Sequence, residues 1–229
     1  MTEIALINRT RHLTDAQFLA MLPGLQAQIT EDFAPVWGSG ATLHLVSHGR
    51  QPAPGQWHCW LLDHSDQPGA LGYHDDPRVP EAKIFVADDL KYGAEVSVTI
   101  SHELLEMLAD PLANKLGPLQ PGHKRYAIEV ADPVEADSDG YLKHGVKVSN
   151  FVTPHYFGLP PLVAGDQRLD FCGKLSYPCP SMLPGGYVLF SEYGHWHTLT
   201  ARQSDGSLSR RAQHSAGRSA RRAGTTPAE

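Results

Sequence analysis

The sequence has no long apolar run, no excess of positive charge and few cysteines, and each of these absences excludes a class of protein. It has no run of about 20 apolar residues, so we expect no membrane-spanning helix. Its N-terminal stretch lacks the apolar core of an export signal, which favours a cytoplasmic protein. Positive charge is also scarce, because the net charge is −6 over 229 residues. This balance argues against nucleic acid as a partner.

Cysteine is scarce as well, and its scarcity bears on the redox compartment. Cys59, Cys172 and Cys179 are too few, and odd in number, for a disulfide framework. They favour a reducing, cytoplasmic setting, although Cys172 and Cys179 could pair in an exported protein. Two thiols without nearby partners are more often buried free cysteines than a soft metal site.

Apolar residues are plentiful and patterned, which predicts a sizeable core. They make up 41% of the chain. A long N-terminal helix follows Thr14 or Asp15 as the cap, with a kink or break at Pro23. A second long helix is predicted over 92–109. Strands are predicted at residues 4–7, 41–47, 57–63, 69–74, 83–87, 126–131, 146–152 and 186–190.

This order of elements predicts an α/β or α+β fold, with helices packed on a mixed sheet. The domain covers about residues 1–200. Residues 201–229 are rich in Arg, Ser, Ala and Gly and poor in apolar side chains. We therefore expect them to form a flexible, basic, disordered tail.

The stretch TISHELLEMLADP, residues 99–111, lacks one residue of a zinc-peptidase helix. Such a helix carries H-E-x-x-H, and here the fifth position holds Glu106. His102 and Glu106 are four apart, so they share one face of a helix, and both residue types bind zinc. Glu103 is then placed as the base that deprotonates the attacking water. An ordinary amphipathic helix is the alternative, because HExxE also occurs by chance.

A carboxylate in place of histidine changes the chemistry expected of a metal at this helix. It adds negative charge beside the ion, which weakens the Lewis acidity of the metal. It also makes the ligand set harder, so Mn²⁺ or Ca²⁺ gains relative to Zn²⁺.

A catalytic metal site needs a third protein ligand, and YAIEVADPVE offers two candidates. Glu129 and Asp132 are carboxylates in an otherwise apolar stretch, which is unusual unless they are paired or bind a metal. We expect one to be a ligand and the other to support His102. The sequence does not say which, and Asp132 before Pro133 could instead cap a turn.

SHELLEMLADP followed by EVADPVE resembles the zincin-like metallopeptidase superfamily, more narrowly its HExxE variants. The resemblance covers about residues 1–190. It implies a zincin-like mixed sheet with a long N-terminal helix and a central, metal-binding active-site helix. It also implies one ion, zinc by preference, held by His102, Glu106 and an acidic third ligand, with Glu103 as base. Glu106 is the departure from the usual histidine.

Other residues also suit a peptidase or metal role. GALGYH, residues 69–74, could be an edge strand that binds an extended peptide. His155 or Tyr156 could stabilise the oxyanion formed during hydrolysis. His195 and His197 share one face of a strand and could bind metal, although surface histidines are commoner. The acidic run 135–140 resembles the start of an EF-hand but lacks its twelfth-position Glu, so an acidic turn is expected.

These features predict a metal-dependent peptidase, with zinc as the cofactor and a peptide or protein as the substrate. The alternative is a catalytically inactive protein of zincin fold that binds or assembles with partners and holds a structural metal.

Overall fold

A computed structural model describes residues 2–66, 70–75 and 79–202 of the chain. They form a mixed α/β fold around buried apolar side chains that extend from Ile4 to Phe190. The helices are α1 (Asp15–Ala27), α2 (Ala34–Trp37), α3 (Val86–Tyr92) and α4 (Val96–Ala109). The strands are β1 (Thr2–Asn8), β2 (Ala41–Val46), β3 (Trp57–Leu62), β4 (Gly72–Asp75), β5 (Glu81–Phe85), β6 (Lys124–Tyr126), β7 (Tyr141–Lys143), β8 (Val146–Val148), β9 (Tyr187–Glu192) and β10 (His195–Thr200).

The main sheet has five strands in the order β2-β1-β3-β5-β4. The first four are parallel, and β4 pairs antiparallel with β5 at the edge. The last five residues of β1 are all buried, as expected for a parallel strand that is covered on both faces. The predicted mixed sheet is confirmed. The predicted strand over 69–74 contributes Gly72, Tyr73 and His74 to β4, whereas Gly69 lies outside the described residues.

The N-terminal helical segment is longer than one α-helix. Thr14 caps the N-terminus of α1 with a capping box. The Gln17 backbone N–H donates to the Thr14 hydroxyl, and the Gln17 side-chain oxygen accepts from the Thr14 backbone N–H. Pro23 does not split the helix, because α1 continues to Ala27. The buried side chains of Phe18 and Leu25 hold this helix against the core. A π-helical stretch, Gln28–Phe33, then leads directly into α2.

The helix α4 is buried along its whole length of fourteen residues. It packs against β4, β5, β8 and α1, so solvent reaches none of its faces. The single helix predicted over 92–109 is wrong at its start. Gly93, with a left-handed φ of 70°, ends α3 and separates it from α4. Residues 86 and 87, the end of the predicted strand over 83–87, belong to α3.

The second half of the described chain has short strands and long loops. β6, β9 and β10 form an antiparallel sheet in the order β10-β9-β6, and β7 and β8 form a hairpin. The predicted strand over 126–131 is wrong over most of its length: β6 ends at Tyr126, and after the Ala127 N–H donates to the Leu189 carbonyl of β9 the chain leaves this sheet and passes beside α4. No helix among residues 2–66, 70–75 and 79–202 is long and apolar enough to cross a membrane. Most of the predicted tail, 203–229, lies outside the described residues.

Candidate metal centre

The helix α4 carries three of the predicted site residues in its middle. His102, Glu103 and Glu106 each have 0% exposure. His102 Nε2 lies 3.3 Å from Glu106 Oε1, as expected for residues one helical turn apart. Two carboxylates buried within one turn carry a large desolvation cost, which charge pairing, hydrogen bonds or a metal must offset.

A buried polar network fixes the helix one residue before His102. Ser101 Oγ donates to Gln28 Oε1 at 2.5 Å and accepts from the Ser149 backbone N–H at 2.9 Å. Gln28 Nε2 donates to the Ser149 carbonyl at 2.7 Å. Gln28 begins the π-helical stretch, so this departure from α-helix places its side chain between α1 and α4. The network sets the position of His102 relative to both elements.

The segment after β6 brings the other two predicted carboxylates to α4. The Val152 N–H donates to the Val130 carbonyl at 2.7 Å, which holds the backbone between Glu129 and Asp132. On the other side, Gly186 lies so close that a Cβ would come within 2.4 Å of the Pro133 carbonyl. Only glycine fits this approach. Glu129 is 4% exposed and Asp132 is fully buried.

His102, Glu106 and Asp132 form the first group of candidate metal ligands. His102 Nε2 lies 3.1 Å from Asp132 Oδ1, close to its distance from Glu106. Two atoms bound to one tetrahedral zinc ion lie about 3.3 Å apart, because each bond is about 2.0–2.1 Å long. The backbone N–H groups of Ala131 and Asp132 donate to Glu106 Oε1, both at 3.3 Å. They hold the carboxylate in this orientation.

His74, on β4, forms a second group with Glu103 and Glu106. His74 Nδ1 lies 3.5 Å from Glu106 Oε2 and 3.7 Å from Glu103 Oε2. On the opposite side of the ring, Nε2 faces Glu129 Oε2 at 3.8 Å. Within the described residues, neither ring nitrogen has a hydrogen-bond partner, although the side chain is only 3% exposed. These carboxylate oxygens lie 3.5–3.8 Å from the two buried nitrogens, which is close enough to attract a protonated ring but longer than an ordinary hydrogen bond.

The surroundings of His74 also determine its charge in the absence of metal. Burial alone lowers the pKa of His74, but the carboxylates of Glu129, Glu103 and Glu106 outweigh burial and raise it to about 10. The ring therefore carries a proton at neutral pH in the metal-free protein. A metal ion that binds His74 must displace this proton.

Sequence reasoning missed His74 as a site residue. A single histidine on a short strand, 28 positions before His102, has no motif spacing to mark it. One signal was present: Gly72 and His74 are two apart, so they share a face of β4. A Cβ on Gly72 would come within 2.9 Å of Glu103 Oε1. The glycine lets the strand backbone approach the carboxylate, and His74 then points into the same cluster.

The structure places the other predicted candidates differently. The Tyr156 hydroxyl donates to the Ser181 carbonyl at 2.6 Å, and burial raises the pKa of this tyrosine. His155 belongs to neither of the two ligand groups found among the described residues. Cys172 and Cys179 are free thiols. Of the acidic run 135–140, Asp137 accepts from the Glu95 N–H at the start of α4, at 2.7 Å.

The donor atoms fit a divalent metal ion. They are imidazole nitrogens and carboxylate oxygens, a set that suits Zn²⁺ and, with this many carboxylates, Mn²⁺. The His74 nitrogens without hydrogen-bond partners support the fit, because a coordinate bond would satisfy one of them. The sequence indicated two ligands on one helix. In the structure, candidate ligands from three segments lie together: β4, α4 and residues 129–132.

Comparisons with known proteins place this chain beside no relative. No protein-family model matches it, and neither the curated proteins nor the solved structures give a significant match.

Proposed function

We propose that the protein is a zincin-like, metal-dependent peptidase. His102, Glu106 and Asp132 would hold the metal ion, and Glu103 would act as the general base. One observation carries the proposal: three ligands from two segments converge in a buried site, with His102 Nε2 3.1 Å from Asp132 and 3.3 Å from Glu106. In the metal-free protein the contact of His102 with Asp132 is a hydrogen bond, and its length also suits two atoms that share one zinc ion.

The chemistry follows from the charges in the site. A bound Zn²⁺ or Mn²⁺ ion supplies positive charge that polarises the scissile carbonyl and makes water more acidic. Glu103 takes a proton from the attacking water as the water oxygen adds to the carbonyl carbon. The C–N bond then breaks, and Glu103 returns the proton to the leaving nitrogen. One water molecule is consumed, and a carboxylic acid and an amine are formed.

The edge strand β4 supports a peptide as the substrate. One side of β4 pairs with β5, and its other side is the edge of the five-stranded sheet. An extended peptide could add to such an edge through backbone hydrogen bonds once the segments that bury Leu71, Tyr73 and His74 move aside. Gly72 brings the strand backbone against the Glu103 carboxylate, so a peptide aligned with β4 would lie near the base.

The substitution Glu103→Gln tests the role of the base, because it keeps the side chain's shape and removes its ability to accept a proton. We expect peptide-library cleavage to fall about 10²–10⁴-fold. Metal analysis should still find the ion at His102, Glu106 and Asp132. Glu3→Gln, a carboxylate on the exposed start of β1, is the matched control and should cleave as wild type. Full activity of Glu103→Gln contradicts the mechanism.

A second candidate function is favoured by the depth of the site. Structural metal sites are closed, whereas catalytic sites keep an open position, and four of the six clustered side chains have 0% exposure. A non-catalytic binding protein with a structural metal would have this property. The cobalt-substituted protein separates the two functions. A hydroxamate changes its visible spectrum if the metal has an open position, and leaves it unchanged if the site is closed.

A further inference from the structure

Glu106 belongs to both groups of candidate ligands, and it presents a different oxygen to each. Oε1 lies 3.3 Å from His102 Nε2, whereas Oε2 lies 3.5 Å from His74 Nδ1. A carboxylate in this position can bridge two metal ions, which lie about 3.5–4 Å apart in two-metal hydrolases. A single ion bound by His102, Glu106 and Asp132 does not explain why His74 faces the other oxygen of Glu106.

His74 provides an independent sign of a ligand on that side. Its side chain is 3% exposed, and neither ring nitrogen has a hydrogen-bond partner within the described residues. A coordinate bond would give one of these buried nitrogens a partner at bonding distance. Glu129 lies behind the ring at Nε2, where a carboxylate orients a metal-binding histidine. Nε2 therefore faces Glu129 at 3.8 Å, and Nδ1 faces Glu103 and Glu106 on the opposite side of the ring.

We propose that the protein holds a second divalent metal ion, bound by His74 Nδ1 and Glu103 and bridged to the first ion by Glu106. The inference rests on the metal site of the proposed function and is independent of the peptidase activity. Each ion receives one imidazole nitrogen and carboxylate oxygens from at least two residues. Such a set is hard enough for Mn²⁺ as well as Zn²⁺.

Glu103 keeps its place in the proposed chemistry when it also binds this ion. Its Oε2 faces His74, whereas Oε1 lies against Gly72 of β4. The two roles therefore use different oxygens of the same carboxylate.

The test is a count of bound ions on the full chain. Protein stripped of metal with a chelator is titrated with Mn²⁺, and free Mn²⁺ is measured by electron paramagnetic resonance. We expect two ions per chain in the wild type, one in His74→Ala, and one in Asp132→Asn. The matched control His195→Ala, a histidine exposed on β10, binds two. At saturation the wild-type spectrum shows spin coupling between neighbouring ions, and the His74→Ala spectrum does not.

One ion at saturation in the wild type overturns the inference, whether or not the variants fold. Two ions in a folded His74→Ala variant also overturn it. The outcome is separable from that for the proposed function. Cleavage by a protein that binds one ion supports the peptidase and rejects the second ion. Two ions in a protein that cleaves no peptide support the second ion and contradict the peptidase.

Discussion

Two regions of the molecule present residues at a spacing that suits a metal, and the fold treats them in opposite ways. On α4, His102 and Glu106 are fully buried, and Asp132 arrives from a separate segment to lie 3.1 Å from His102. On β10, His195 and His197 are exposed, and the His197 ring stacks on Phe190 at 5.0 Å. Spacing along one element supplies two ligands at most. A site needs a third from elsewhere in the chain, and α4 receives it.

The two regions also differ in how much a bound metal ion would stabilise them, because one is exposed and the other is buried. Exposed histidines on β10 keep their hydration, so a metal gains little by replacing water around them. The side chains around α4 have already lost water on folding, at a cost that a metal ion can offset. The comparison therefore predicts large effects of substitution at α4 and small effects at the C-terminal sheet.

The largest effect is expected from Glu106→Gln, because Glu106 contributes an oxygen to each ligand group. We expect the affinity for Zn²⁺ to fall by more than about 100-fold, beyond the 10–100-fold typical of a residue that only orients a ligand. Isothermal titration of the metal-free protein measures it. His197→Ala is the comparison variant and should bind as wild type. Equal losses in the two variants would remove the distinction between the regions.

The pH dependence of stability should follow His74 in the metal-free protein. Its pKa in the folded state, about 10, lies above the ordinary 6.5, so its proton stabilises the fold fully below about pH 6.5. This contribution is lost as the pH rises to about 10. Urea unfolding at a series of pH values should show the free energy of unfolding falling, with a slope of at most about 1.4 kcal/mol per pH unit.

The matched variants for this measurement are His74→Gln and His195→Gln. The first should lack most of the decline, because its side chain does not titrate. The second should keep it, because His195 is exposed on β10. An unchanged slope in His74→Gln would show that other groups cause the decline.

A smaller effect is expected where β4 touches the base. In Gly72→Ala the new Cβ would meet Glu103 Oε1 at 2.9 Å and the Lys83 carbonyl at 3.1 Å. We expect a loss of about 1–3 kcal/mol in the free energy of unfolding, together with displacement of Glu103. In Gly117→Ala the nearest atom is at 3.5 Å, an ordinary contact, so the loss should stay within about 0.5 kcal/mol. Equal losses would mean that Gly72 does not confine Glu103.

The smallest effect is expected in the C-terminal sheet. Lys124 lies 3.8 Å from Glu192 in a pair that is about one-third exposed. Such a surface pair contributes about 0–1 kcal/mol, and salt screens it. Lys124→Ala should change the unfolding midpoint slightly, and the change should shrink in 1 M NaCl. A loss as large as that of Gly72→Ala would contradict the contrast between the regions.

The sequence predicted the parts of the site that lie close together along the chain. His102 and Glu106 follow from helical spacing, and Glu129 and Asp132 stood out as carboxylates in an apolar stretch. His74 was not predictable in this way, because its role depends on the antiparallel pairing of β4 with β5, which is a property of the whole sheet. Tyr156 illustrates the converse: its hydroxyl made it a candidate for stabilising the oxyanion, but that hydroxyl donates to the Ser181 carbonyl.

The fold, like the site, was predictable where it depends on residues close together along the chain. The mixed sheet and the two main helical regions follow from periodicity. The π-helical stretch at Gln28–Phe33 does not, because it is fixed by the contacts of Gln28 with Ser101 and Ser149.

The most direct measurement is an anomalous difference map from a crystal of the wild-type protein grown with Zn²⁺ and collected at the zinc edge. We predict a peak between His102 Nε2, Glu106 Oε1 and Asp132 Oδ1, at about 2.0–2.2 Å from each. No peak at α4 in a zinc-saturated crystal, or zinc found only at His195 and His197, would contradict the assignment of α4 as the metal centre.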